Sequence, residues 1–163
     1  MGNTLIRSFM ELRYFTKVSV LTTNFGTAPQ GAFQRCTNLE RIDLTNIVTI
    51  NSNPSNNVFG GTALTEIVLP NITSLPTYIG KDMSRLKKID VGEKCTSVPQ
   101  YFANFNSNAV FIFRSTTPPS LASSSNSYSH LFYVPDESVE AYKTATNWSN
   151  MASRIKPISE YTE

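Results

Sequence analysis

The side chains able to do chemistry in this chain are few and scattered: one histidine, His130, two cysteines, Cys36 and Cys95, and 12 carboxylates among 163 residues. A nucleophile needs a base held against it, and His130 lies in the Ser-rich run SLASSSNSYSH, far in sequence from both thiols. It reads as an ordinary loop residue. Zinc or iron needs several His or Cys ligands at recognisable spacing, which this set does not provide, so neither a metal nor another cofactor is expected. Asp136-Glu137 stands at an expected helix start, where the helix dipole favours negative charge without any catalytic purpose. Phe59-Gly60-Gly61-Thr62 lacks both G-x-G-x-x-G and G-K-[ST], so it is a coil corner and not a phosphate loop. The sequons at Asn71 and Asn147 carry no assignment in a chain this rich in Asn, Ser and Thr. Catalysis is not expected. What remains is recognition by surface side chains, and that depends on the elements that array them.

Those elements repeat. Leu39, Ile42 and Leu44 are matched by Leu64, Ile67 and Leu69, then by Leu86, Ile89 and Val91, at offsets of 25 and 22 residues. A second apolar series runs in step: Ile47, Ile72, Cys95 and Ile50, Leu75, Val98, offset by 25 and 23. An apolar pair precedes each triplet, Ala32-Phe33, Val58-Phe59 and Tyr78-Ile79, and Tyr101-Phe102 leads into a degenerate fourth rung over Ala109 to Arg114. Each L-x-x-I-x-L reads as one coil of a solenoid, with the last two apolar positions alternating inward on a short strand. INSNPSNNVFGGT and LPTYIGKDMSR carry the Gly, Pro and Asn that returning corners require. Outward positions then form columns: Arg41, Glu66, Lys88 in one and Asp43, Val68, Asp90 in the next, with Phe111 and Phe113 expected to continue them. The alternating charges describe either a solvated salt-bridge ladder or a mixed-charge recognition face flanked by aromatics. The basic run at Lys81, Arg85, Lys87 and Lys88 is interrupted by Asp82 and reads as a solvated corner.

Composition agrees. Ser, Thr and Asn number 19, 18 and 15, or 52 of 163 residues, which suits a chain that turns often, and charged residues are only 16%. A net charge of +2 with dispersed basic residues gives nucleic-acid binding no support. Arg7, Glu11, Arg13 and Lys17 interrupt the first twenty residues, so no signal peptide is expected, and no apolar run is long enough to insert in a membrane. Cys36 and Cys95 fall two rungs apart, beyond disulfide reach in a regular stack, and are expected as free, buried thiols.

The ends are expected to be capped. Ser8 and Glu11 form S-x-x-E, predicting a helix over about 8–15 with Ile6, Phe9, Leu12 and Phe15 toward the first coil. Pro118-Pro119 stops the last repeat strand, and Asp136 is expected to cap a helix through Ala145. Trp148, Met151, Ala152 and Ile155 follow at helical spacing as packing anchors, with Pro157 as the stop. The organisation is thus an N-terminal cap over 1–29 (helix and first strand), repeats over 30–120, and a C-terminal strand and helical cap over 121–163. The fold class is an α/β solenoid, a short right-handed coil with a parallel sheet.

GAFQRCTNLERIDL, ALTEIVLPNITSLP and RLKKIDVGEKCTSVP resemble the BspA-type leucine-rich repeats: Ala-Phe, a Cys three residues before Leu, L-x-x-I-x-L, and a following I/V-T-S-like step. The second and third rungs place Gly61 and Met83 at the Cys position. RSFMELRYFT, TTPPSL and YVPDESVEAYKTATNWSNMASRIKPI resemble recurrent ends of such proteins. The resemblance implies a noncatalytic recognition or adhesion module that contacts a protein or glycan on a host or bacterial surface. Similar repeats also imply a second reading, a structural or receptor-binding component of a phage particle from gut bacteria, where a fibre would be a trimer. The corresponding location is extracellular, on a cell surface as part of a larger protein, or in a virion.

Overall fold

A computed structural model describes residues 4–21, 31–51, 58–103, 108–123 and 128–163. The expected corner over 50–62 and the Ser-rich loop lie partly outside the described residues, as does part of the expected N-terminal cap. In chain order the strands are β1 (Ser8–Phe9), β2 (Val20–Leu21), β3 (Arg41–Ile42), β4 (Thr49–Ile50), β5 (Glu66–Leu69) and β6 (Lys88–Val91). They continue as β7 (Ser97–Val98), β8 (Val110–Phe113), β9 (Ser120–Leu121), β10 (Phe132–Val134) and, after helix α1 (Val139–Thr144), β11 (Ile155–Pro157). Every pairing is parallel.

The repeat offset appears directly as register: Glu66 lies beside Lys88, Ile67 beside Ile89, Val68 beside Asp90 and Leu69 beside Val91. Side chains alternate across a strand, so Ile67, Ile89, Phe111, Phe132 and Ile155 form one inward column, each at most 2% exposed. Leu39, Leu64 and Leu86 line the same interior; on the fourth rung the register puts exposed Asn108 at that position, and Ala109 beside it is buried. The second apolar series builds a further side of the coil. There β2 pairs β4, β7 pairs β9, and Leu21, Ile50, Leu75, Val98 and Leu121 are all buried. No coil could bury these faces alone; stacked, they share one core in a repeat, solenoid-like arrangement.

Two corners show how tightly the rungs stack. Gly61 has φ +75, a region that suits glycine, and its N–H donates to Asp82 O of the next rung at 2.8 Å. At Gly92 a Cβ would stand 2.0 Å from Pro70 O, so the neighbouring rung leaves no room for a side chain.

The N-terminal expectation is corrected. Ser8 and Phe9 are not helical but extended against Arg41 and Ile42, and only Met10–Tyr14 winds into a short 3₁₀ helix with no side-chain cap bond from Phe9, its N-terminal residue. The Ser8–Glu11 capping box does not form. Backbone pairing to the first rung wins because a two-turn helix carries the full nucleation penalty for few bonds. Of its expected apolar face Leu12 is buried, Ile6 and Phe9 are partly buried, and Phe15 is 53% exposed.

At the other end, Asp136–Ser138 is a 3₁₀ turn, α1 covers only Val139–Thr144, and Trp148–Arg154 is again 3₁₀. Ile155, expected at the end of a helix, instead opens β11 beside Phe132. Asp136 does not cap its own turn; its Oδ1 accepts the Ser159 N–H at 3.1 Å, which holds its carboxyl below the ordinary value. Trp148 is fully buried, donates from Nε1 to Pro119 O at 2.8 Å, and meets Phe113 and Tyr142 edge-on at 5.2 Å. Burial also pushes the Tyr142 phenol well above its usual pKa, so it stays protonated and donates to Ser115 O at 3.0 Å.

Candidate recognition site

The outward columns align by register on two rungs, β5 and β6. Glu66 and Lys88 stand side by side, with Oε2 and Nζ 2.8 Å apart, and this contact raises the lysine's pKa. Val68 lies beside Asp90 and is 42% exposed. Asp90 takes Arg114 in a two-point grip, Nε to Oδ1 at 3.0 Å and Nη2 to Oδ2 at 2.7 Å, which raises the guanidinium pKa. On the first rung Asp43 accepts the Thr45 N–H at 2.9 Å, which, with the nearby Arg13 at 3.8 Å, holds its carboxyl below the ordinary value. Glu40 pairs with Arg7 at 3.2 Å.

Phe111 and Phe113 do not continue the face. They align with Ile89 and Val91 and are fully buried, while the residues beside Lys88 and Asp90 are Val110 and Ile112. The fourth rung has aromatics at the inward positions, where they pack against Phe102 and Trp148. Ile112, on the outward side, is nonetheless only 2% exposed. The end of the described chain reaches the same surface: the Glu163 carboxylate lies 3.5 Å from Lys88 Nζ, and the Tyr161 ring meets Tyr133 at 5.1 Å. The accessible face therefore lies toward the first rungs.

There the sheet breaks. Strands β5, β6, β8, β10 and β11 form one five-stranded sheet, but β3 pairs only with β1. No strand pairing joins β3 to β5 among the described residues, although their neighbours are tied on either side. Ala63 N donates to Leu39 O at 3.0 Å, Asn71 Nδ2 to Thr45 O at 2.8 Å, and Thr73 N to Val48 O at 3.1 Å. The result is a slot of about 310 Å³ that includes Arg41, Asp43, Glu66 and Val68 in its walls, with Met10 and Pro70 at its margins. Arg41 is exposed and its guanidinium makes no ion pair or hydrogen bond among the described residues, so the expected Arg41–Glu66–Lys88 ladder joins only its last two members. Sequence reasoning placed four wall residues on one face and did not single out the break, although the repeat offset changes at Glu66, from 25 residues back to Arg41 to 22 on to Lys88.

The residues considered for catalysis are accounted for structurally. His130 is not a loop side chain in solvent: it is 4% exposed, its Nδ1 lies 2.8 Å from Ala109 O, and its ring meets Phe111 edge-on at 5.7 Å. Cys36 and Cys95 are free and buried. Burial raises the Cys95 pKa, which opposes the thiolate a nucleophile needs. No group of three His, Cys, Asp or Glu able to hold a metal occurs among the described residues, and none of the described helices is long and apolar enough to cross a membrane. The side-chain amides of both sequon asparagines are engaged, Asn71 on Thr45 O and Asn147 on Leu121 O at 2.7 Å.

A family model described as BspA type leucine rich repeat region matches residues 6–130 in six copies. No curated protein matches the chain.

Proposed function

Because the chain belongs to the BspA-type leucine-rich repeat family, we propose that it is a noncatalytic adhesion module, binding a protein on a host or bacterial surface through the outward faces of β3, β5 and β6. The family is one of recognition repeats, and the observation that carries the reading is the mixed-charge face that begins at the slot. Paired parallel strands hold Glu66, Val68, Lys88 and Asp90 on a stiff surface, with Arg41 and Asp43 across the slot, so little ordering is lost on association. The pairs Glu66–Lys88 and Asp90–Arg114 are solvent-facing and each adds only about 0–1 kcal/mol to stability, which leaves them available to exchange partners on binding. Site-level chemistry points the same way: the only imidazole and both thiols are buried structural groups.

Capture from bacterial and host surface extracts tests this. The protein and the pair of changes Arg41→Glu and Lys88→Glu are compared on the same extract; loss of one captured protein with the variant is expected. Equal capture by both discards the strand face.

A further inference from the structure

We propose that the slot between β3 and β5 is a strand-addition site that takes a short extended segment of a protein partner, with an acidic side chain on Arg41. The inference rests on the recognition reading and names the part of the face that does the binding.

The slot is lined by residues of two strands that do not pair with each other. On β3, the Arg41 and Asp43 N–H groups donate to Arg7 O and Phe9 O of β1, so the alternation of a strand turns the Ile42 and Leu44 N–H groups toward β5. On β5, Lys88 N donates to Thr65 O and Gly92 N to Leu69 O, which assigns the odd-numbered positions to β6 and turns the Glu66 and Val68 N–H groups and carbonyls toward β3. Continuing the register of the repeat would bond Glu66 N–H to Glu40 O and Leu44 N–H to Val68 O, and neither bond is made among the described residues. Donors and acceptors thus alternate along both walls at strand spacing, a pattern that another extended backbone complements and a sugar or a compact anion does not.

Size and charge define the occupant further. The ties at Leu39 and Thr45 leave five residues, 40–44, between them, roughly 20 Å of strand from tie to tie, and 310 Å³ is at the small end for a ligand site, so only a few residues are accepted. The acids around the slot are already matched, Glu40 by Arg7, Asp43 by Arg13 and Glu66 by Lys88. Arg41 alone among these charges is uncommitted within the described residues, so the incoming side chain at its level is an Asp or Glu. The partly exposed Val68 offers the adjoining level an aliphatic contact.

The test uses the intact chain, labelled for NMR, with a library of acetylated and amidated pentapeptides in which each position is varied through all residue types. Before any peptide is added, the Glu66 and Val68 amides are expected to exchange with solvent about a hundredfold faster than Ile67 and Leu69. Members with one acidic residue are then expected to shift the Ile42, Leu44, Glu66 and Val68 amides at millimolar concentration. N-methylation of the peptide backbone should abolish this, and Arg41→Glu should weaken it about tenfold while favouring members with lysine in place of the acid. The proposal is overturned if Glu66 and Val68 exchange as slowly as their neighbours, if no member shifts the four amides, if N-methylated peptides bind equally, or if a glycan protects these amides in the peptides' stead. Surface capture that depends on Lys88 with no peptide response at the slot leaves the recognition face standing and removes the strand-addition site.

Discussion

The two halves of the coil are built from the same repeat and end in different states. From β5 onward five strands pair without interruption, and the last rungs close over Phe102, Phe113, Phe132 and Trp148, all fully buried. Before β5 the sheet is reduced to two-stranded patches, Ile42 is half-buried, and Leu5, Tyr14, Phe15 and Val20 are exposed, Leu5 by 88%. Large aromatic side chains at the inward positions give the second half many mutual contacts, and its backbone groups find partners in sequence order. In the first half smaller aliphatic residues carry the core, and the backbone of β3 and β5 is left facing a slot. The complete half holds the incomplete one in shape, and the incomplete one has surface to offer a partner.

The comparison is broken most severely at Trp148. Trp148→Ala is expected to cost about 3–5 kcal/mol, because it empties a fully buried site touched by several rings and orphans the Pro119 carbonyl, whereas Phe15→Ser at the exposed end should stay within about 0.5 kcal/mol. Urea denaturation of the two variants beside the parent checks this. Gly92→Ala comes next: with Pro70 O where the methyl must go, β5 and β6 have to separate at their C-terminal ends, at a cost of about 1–3 kcal/mol with a matching fall in the denaturation midpoint. Asp90→Asn removes one charge from the grip on Arg114 and should cost about 1 kcal/mol or less, an effect that salt reduces in the parent but not in the variant.

The smallest effect belongs to the first half and to acid. Asp43 titrates below its usual pKa of 3.8 in the folded chain, so its contribution is fully present above that value and is lost as pH falls through the lower folded value. Stability measured from pH 5 down to pH 2 should therefore fall less steeply in Asp43→Asn than in the parent, with the two slopes equal above pH 5. Equal slopes throughout would show that the Thr45 bond does not hold the carboxylate.

Much of this was legible in the sequence. The offsets between Leu39, Leu64 and Leu86 and between Ile42, Ile67 and Ile89 foretold the β5–β6 register, and the second apolar series foretold the far side of the coil, because spacing along a repeat becomes adjacency in a stack. The same spacing misassigned Phe111 and Phe113: the fourth rung has no leading leucine to set its phase, and a one-residue slip turns every side chain to the other face. Ser8 and Glu11 have the residue types of a helix start, yet an available sheet edge decided the backbone. His130 read as an ordinary loop residue, and it lies outside any helix or strand, but its burial against Ala109 and Phe111, about twenty residues away in sequence, had no local signal. The slot was not read from the sequence, since a missing pairing is a property of two rungs together; the one trace of it is the longer offset, 25 residues against 22, between the first and second rungs.

The most direct test of stacked rungs with one break is oxidative cross-linking of paired cysteines. Glu66→Cys with Lys88→Cys places two thiols on directly adjacent residues of neighbouring parallel strands, at a separation of about 4.8 Å between strands that a disulfide accepts, and should oxidise readily. Arg41→Cys with Glu66→Cys spans the slot and should remain reduced under the same conditions. A disulfide in the second pair as fast as in the first would close the slot, and none in the first would contradict the stack itself.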